Sequence, residues 1–214
     1  MNINYGSLKL QKKYYLNNMY YVVKYSGPFG FIKPWTAVRD SETFSQQFLT
    51  PSIIEGIEKK LFPELLNEAG IRKIRRHRLS YQQISQQQEV IQTRGWNSTR
   101  KGKNFLFERP AAILIRGILL NPVLHLAFEN RQDAEQAYQQ HICLCRNEDI
   151  LFPISLTEIS TENFDNDDIH FSGFELIFEK NNTSFHVGYD RKTNKAMYGW
   201  LKIVGIPVNN EYDG

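Results

Sequence analysis

Cysteine is almost missing from this 214-residue chain: only Cys143 and Cys145 occur, spaced as C-x-C. Neighbours that close rarely form a disulfide, and no cluster of further ligands makes them a metal site. Both read as reduced thiols, which sets the expectation of a cytoplasmic protein. No apolar run reaches the ~18 residues that span a bilayer. The longest, across 111–128, is broken by Arg116, Gly117, Asn121, Pro122 and His125, so no membrane association is expected. Residues 1–18 are polar and lack the apolar stretch of a signal peptide. The patterns H-E-x-x-H, Walker A, G-x-S-x-G and paired C-x-x-C are all missing, which removes the common metalloprotease, P-loop, hydrolase and zinc-ribbon readings. The acidic cluster Glu162, Asp165, Asp167 and Asp168 lacks the glycine and terminal Glu of an EF-hand loop and reads as a solvated loop. No metal or cofactor is expected.

What the chain has is basic charge in one place. Residues 72–109 hold ten bases (Arg72, Lys73, Arg75, Arg76, Arg78, Arg94, Arg100, Lys101, Lys103, Arg109) against Glu89 and Glu108, a local net charge of +8. The other sixteen bases face twenty-one acids, so the overall +3 hides a polarised molecule. Such asymmetry is the footprint of a polyanion binder. Tyr81, Trp96, Phe105 and Phe107 are interleaved with the charges. Arginine and lysine suit phosphates, and aromatic faces suit unpaired bases. The window reads as a nucleic-acid arm with single-stranded RNA as its partner. The competing reading is a solvated charged surface; the aromatics argue against plain disorder. Arg72, Arg75, Arg76, Arg78, Arg94, Arg100, Lys101, Lys103 and Arg109 are the expected backbone contacts, with Trp96 stacking. Lys33 and Arg39 are expected to flank the same groove.

Metal-free RNA cleavage would need a histidine placed to move the 2′-hydroxyl proton. His77, with Tyr81 beside it, is the cheapest such constellation, against a plain phosphate contact or surface role for His77. His125 sits in an apolar strand and reads as a core or sheet-face residue. On balance the residues offer binding chemistry more readily than bond-breaking chemistry.

Residues 19–26 read as a strand and 27–35 as a Gly/Pro loop. Thr50-Pro51-Ser52 opens a helix whose apolar face is Ile53, Ile54, Ile57 and Leu61, interrupted at Pro63 and closed by Gly70. An extended hairpin is expected over 71–91 and a loop tip over 95–104. Residues 111–119 and 123–128 read as two core strands, 131–145 as a helix and 150–159 as a strand. An acidic loop (161–168) precedes strands at 169–179, 184–189 and 197–204. This βαββαβ order predicts an α+β, ferredoxin-like domain over 19–160. A basic β-hairpin thumb projects from it at about 72–109. Residues 1–18 form an N-terminal extension and 161–214 a strand-rich C-terminal portion. Phe29, Phe31, Trp35, Phe44 and Phe48 suit either a partner-facing patch or the domain's own core.

Three stretches together resemble the Cas-five family, the RAMP-type subunit of type I CRISPR Cascade complexes. YVVKYSGPFGFIKPW (21–35) is similar to the family's first strand and its G-x-[FY]-A-x-F-[RT]-x-P loop. FLTPSIIEGIEKKLF (48–62) is similar to its entry to the first helix, with Thr50, Pro51, Ser52 and Gly56 in place. IRKIRRHR (71–78), a basic insertion and RPAAILIRGILLNPVLHLAFE (109–129) follow the family's order, closest to the type I-C branch. The resemblance implies binding of the repeat-derived 5′ handle of a CRISPR RNA. It also implies partners in a ribonucleoprotein for antiviral defence: a Cas-seven backbone subunit, the large Cascade subunit, and target DNA near its PAM-proximal end. The type I-C branch cuts precursor RNA with a Tyr at the end of the first helix and a Lys-His pair after the second long strand. Phe62 stands at the first position, residues 133–135 near the second, and no Lys-His dipeptide occurs in the chain. The resemblance therefore implies a non-catalytic subunit. The alternative is a metal-independent endoribonuclease built on His77 and Tyr81.

Overall fold

The alternating burial of β1 (Met19–Ser26) organises the molecule, because Val23 and Tyr25 face two helices while Val22 and Lys24 face the other way. The computed structural model describes residues 18–34, 42–190 and 193–210. Most of the expected N-terminal extension, Trp35 and Arg39 lie outside those residues.

Two short strands, β2 (Phe29–Gly30) and β3 (Glu42–Phe44), lead to α1 (Pro51–Leu61). Pro51 occupies the first helical turn as expected, and Ile54, Ile57 and Leu61 are buried. A 3₁₀ turn, Pro63–Leu65, follows. The buried Glu58 carboxylate accepts the backbone N–H groups of Arg72, Lys73 and Ile74 at 2.8, 2.6 and 2.8 Å. Those bonds aim the chain into β4 (Ile74–Ser80). Next come β5 (Gln83–Gln92), β6 (Asn97–Lys101), β7 (Asn104–Glu108), β8 (Ala111–Leu120), β9 (Val123–Phe128) and α2 (Arg131–Tyr138). The chain ends through β10 (Ile142–Cys143), β11 (Ile150–Ser160), α3 (Thr161–Asn166), β12 (Gly173–Ile177), β13 (Phe185–Tyr189) and β14 (Ala196–Val204).

The result is a mixed α+β protein with mostly antiparallel sheets. The main sheet has the order β10-β11-β1-β9-β4-β12-β14-β13. In a second sheet β8 pairs with β5 on one edge, and with β2 and a parallel β3 on the other. The hairpin β6–β7 stands apart. On one face of the main sheet, Val23, Tyr25, Leu79, Leu126 and Phe128 pack on α1 and α2. The Tyr25 hydroxyl donates to the Ala137 carbonyl at 2.6 Å, satisfying a group that burial would otherwise strand. The opposite face is covered in part by Phe164 and Phe171, which meet Val22 and Ala127.

Several sequence expectations change. The hairpin expected over 71–91 does not form: β4 pairs with β9 and β12, while β5 pairs with β8 over ten residues. The stretch 95–104 belongs to a β-hairpin turning at Gly102, which has a φ of 66°. The helix expected over 131–145 stops at Tyr138, because Ile142–Cys143 pairs with the sheet edge at Leu151 and Ile150. The acidic loop contains α3, capped by the Ser160 hydroxyl accepting from the Asn163 N–H. Residues 111–119 form one strand, buried only at Gly117, Ile118 and Leu119. Phe31 is in the core, whereas Phe44 is 46% exposed. Gly27 and Gly30 have a packing role, since a Cβ there would meet the Ile150 carbonyl oxygen at 2.2 Å and Leu144 Cδ1 at 2.5 Å.

Candidate nucleic-acid interface

The basic window divides into two halves of opposite character. In 72–78 every base is paired within the protein. Arg72 meets Glu68 at 3.5 Å, Lys73 meets Glu64 and Asp133 at 2.8 and 2.9 Å, and Arg75 meets Glu129 at 3.1 Å. Arg76 binds Glu175 and Asp165. Arg78, with no exposed surface, reaches the same two acids, donates to the carbonyls of Phe164 and Phe171 at 2.8 Å each, and lies over the Phe164 ring. Burial works to raise the Glu175 carboxyl, and the Arg76 hydrogen bonds overcome it and hold it below its ordinary value. Asp165 is held low by Arg76 and Lys202. Arg76 and Arg78, expected as RNA contacts, are engaged internally and tie α3 and the segment before β12 onto the sheet. Lys73 bridges Glu64 of the 3₁₀ turn and Asp133 of α2, and its ammonium lies 4.0 Å over the ring of Phe62 at the end of α1.

The other half is the arm. β5 and β8 form a ribbon of ten pairs, and the chain beyond it forms the separate five-pair hairpin β6–β7. β2 and β3 brace only the root of the ribbon, at Ile115–Gly117 and Leu119–Leu120. Residues 94–109 are all exposed. Arg94, Arg100, Lys101, Lys103 and Arg109 make no ion pair among the described residues. Across the hairpin Ser98 lies opposite Phe107 and Arg100 opposite Phe105, and opposed residues share a face. Two residues on, the Arg109 guanidinium stacks over Trp96 at 4.5 Å. One row therefore carries Trp96, Phe105, Phe107, Arg100 and Arg109. The three aromatics are 58–62% exposed, an arrangement that suits stacked bases with phosphates alongside. Phe105 and Phe107, interleaved with the charges in the sequence, join Trp96 on this face. Their spacing of two within a strand was the available signal.

Lys33 is exposed beside the first loop. His77 and Tyr81, the alternative cleavage pair, are buried, at 4% and 5% exposure. His77 stacks on Phe178, and Tyr81 stacks on Phe174 and donates to Gln47 Oε1 at 2.8 Å. At the position expected for a catalytic tyrosine, Phe62 is fully buried against Phe128.

Two buried histidines give the fold an acid limit. Burial pushes His77 down to about 4, and burial with nearby Lys24 and Arg78 pushes His125 down to about 3. Below the ordinary value of 6.5 the unfolded chain takes up protons that the folded one refuses. Stability is thus complete above about pH 6.5 and falls as the pH drops toward these lower values. At ~1.4 kcal/mol per unit, the pair is expected to remove about 4 kcal/mol by pH 5. The depressed carboxylates Asp165 and Glu175 add to the loss only nearer their own ordinary range. Urea unfolding at pH 7.5 and 5.0 measures this, and His125→Phe should remove about half of the difference.

The class defined by these features is a mixed α+β protein carrying an exposed basic and aromatic arm. No protein family and no curated protein matches the chain by sequence. Among solved structures, the chain is similar to one of a "CRISPR RNA-guided surveillance complex", with a TM-score of 0.48 at 10% sequence identity. The match covers 88% of this chain and 91% of that one.

Proposed function

We propose that this chain is a non-catalytic RNA-binding subunit of a type I CRISPR effector, holding the 5′ handle of the guide RNA. The observation that carries the reading is the row of Trp96, Arg100, Phe105, Phe107 and Arg109 at the outer end of the arm, where the cations of 94–109 have no acidic partners among the described residues. The chain order of the central strands supports it. β1, β4, β9 and β11 lie as β11-β1-β9-β4 with α1 and α2 on one face, the order expected of a ferredoxin-like domain, a scaffold that RNA-binding modules use. The arm is inserted between the second and third of those strands. Binding through phosphate neutralisation falls steeply with salt. Contacts with a backbone subunit, a large subunit and target DNA belong to the same reading.

The absence of a cutting role rests on burial. Phe62 has no hydroxyl, Asp133 is engaged by Lys73, and His77 and Tyr81 are enclosed. The test is to co-express the chain with a labelled repeat-spacer RNA and resolve the bound RNA on a gel, with and without EDTA. Retained, intact RNA whose binding weakens when the handle is deleted is the expected result. A single EDTA-insensitive cut in the repeat would overturn the non-catalytic role. Equal binding of spacer-only RNA would overturn handle recognition.

A further inference from the structure

A cleft of about 740 Å³ opens at the root of the arm, on the main-sheet face away from α1 and α2. Lys24, His125 and Arg78 lie directly opposite one another across β1, β9 and β4. Lys24 and His125 reach the cleft floor, with Ser80 beside them. Gln82 and Asn121 stand at its edge, in the β4–β5 and β8–β9 connections that flank the arm. The far wall is the strap 205–209, fixed by a bridge between Tyr81 and Val208 and by the Tyr81 N–H donating to the Pro207 carbonyl at 2.9 Å. Gly205, at a φ of 57°, lets the strap approach Asp168, whose carbonyl oxygen would sit 2.1 Å from any Cβ there.

The polar groups of this cleft are incompletely used. His125 is 4% exposed, and its Nδ1 has no hydrogen-bond partner among the described residues. A buried nitrogen without a partner is costly, and His125 is among the residues that line the cleft. Lys24 makes no ion pair among the described residues. The Asn121 amide N donates to Gln82 Oε1 at 2.7 Å. That contact uses one donor and one acceptor, so one carbonyl and one amide NH₂ remain side by side whichever way the two amides are turned. A neighbouring donor and acceptor match the hydrogen-bonding edge of a nucleobase.

We infer that this cleft seats one unpaired nucleotide of the RNA strand that follows the arm. Its base meets the Gln82–Asn121 amide pair and His125, and its phosphate meets Lys24. The inference rests on the RNA-binding reading and adds to it where base discrimination resides: the arm supplies affinity, and the cleft supplies preference.

The test uses the full chain and 5′-labelled dodecamers of oligo(A), oligo(C) and oligo(U), followed by fluorescence anisotropy. The unmodified protein should separate the best from the worst by about tenfold, the worth of one good base contact. Gln82→Ala, on a partly exposed residue, and His125→Gln should each bring that ratio to within about twofold while the thermal melt stays cooperative. Arg100→Ala with Lys101→Ala should weaken all three oligomers and leave the ratio unchanged. A ratio near one in the unmodified protein, or one that survives Gln82→Ala, overturns the cleft and leaves the arm standing. Failure to bind any dodecamer overturns the cleft and the RNA-binding reading together.

Discussion

Replacing Glu175 by alanine is expected to lower the unfolding free energy by about 3–5 kcal/mol. The side chain is 1% exposed and faces Arg76 and Arg78, the latter fully enclosed. Removing the carboxylate leaves two guanidiniums sharing Asp165, which is itself partly solvated and also engaged by Lys202. An uncompensated buried charge is what makes such a deletion expensive, rather than the worth of the pair itself. Arg78 keeps its two carbonyl contacts, so the sheet should survive while α3 and the segment to β12 loosen. Urea unfolding measures the loss. Arg75→Ala provides the contrast, since its exposed pair with Glu129 is worth about 0–1 kcal/mol. Equal effects from the two substitutions would mean that the run 72–78 is not divided between interior and surface.

That division explains where sequence reading succeeded and where it stopped. The start of α1 was legible because Thr50-Pro51 and the Ile54, Ile57, Leu61 spacing are local signals. The first strand, the arm's basic and aromatic content and the α+β order were legible for the same reason. The fate of 72–78 was not, because the acids that neutralise Arg76 and Arg78 lie nearly a hundred residues further on. A strand carrying arginine at positions two apart, between Ile74 and Leu79, does hint at a sheet face with buried counter-charges. The overlong reading of α2 arose because Ile142 and Cys145 continue a helical spacing, while a free sheet edge at Leu151 captured the chain first. The cleft was invisible for a similar reason. Lys24, Ser80, Asn121 and the strap 205–209 come from four separate stretches and meet only in the folded sheet.

Removing the arm's cations and removing its aromatics are expected to weaken RNA binding in two separable ways. Each phosphate neutralised on a single strand contributes about 0.7 to the slope of log affinity against log salt. If Arg100, Lys101 and Lys103 each meet one phosphate, the triple alanine variant should lose about 2 from that slope, and about a hundredfold in affinity near 0.1 M salt. Phe105→Ala and Phe107→Ala should each cost about 1–3 kcal/mol through lost stacking, with the slope unchanged. Neither set should move the unfolding midpoint, because residues 94–109 are exposed throughout and join no core cluster. A salt titration of single-stranded RNA binding, run beside a melt of each variant, separates the terms. A loss of affinity accompanied by a lowered midpoint would assign these residues to the fold. An unchanged slope in the triple variant would place the phosphates elsewhere, with exposed Lys33 and half-buried Lys24 the next cations to replace.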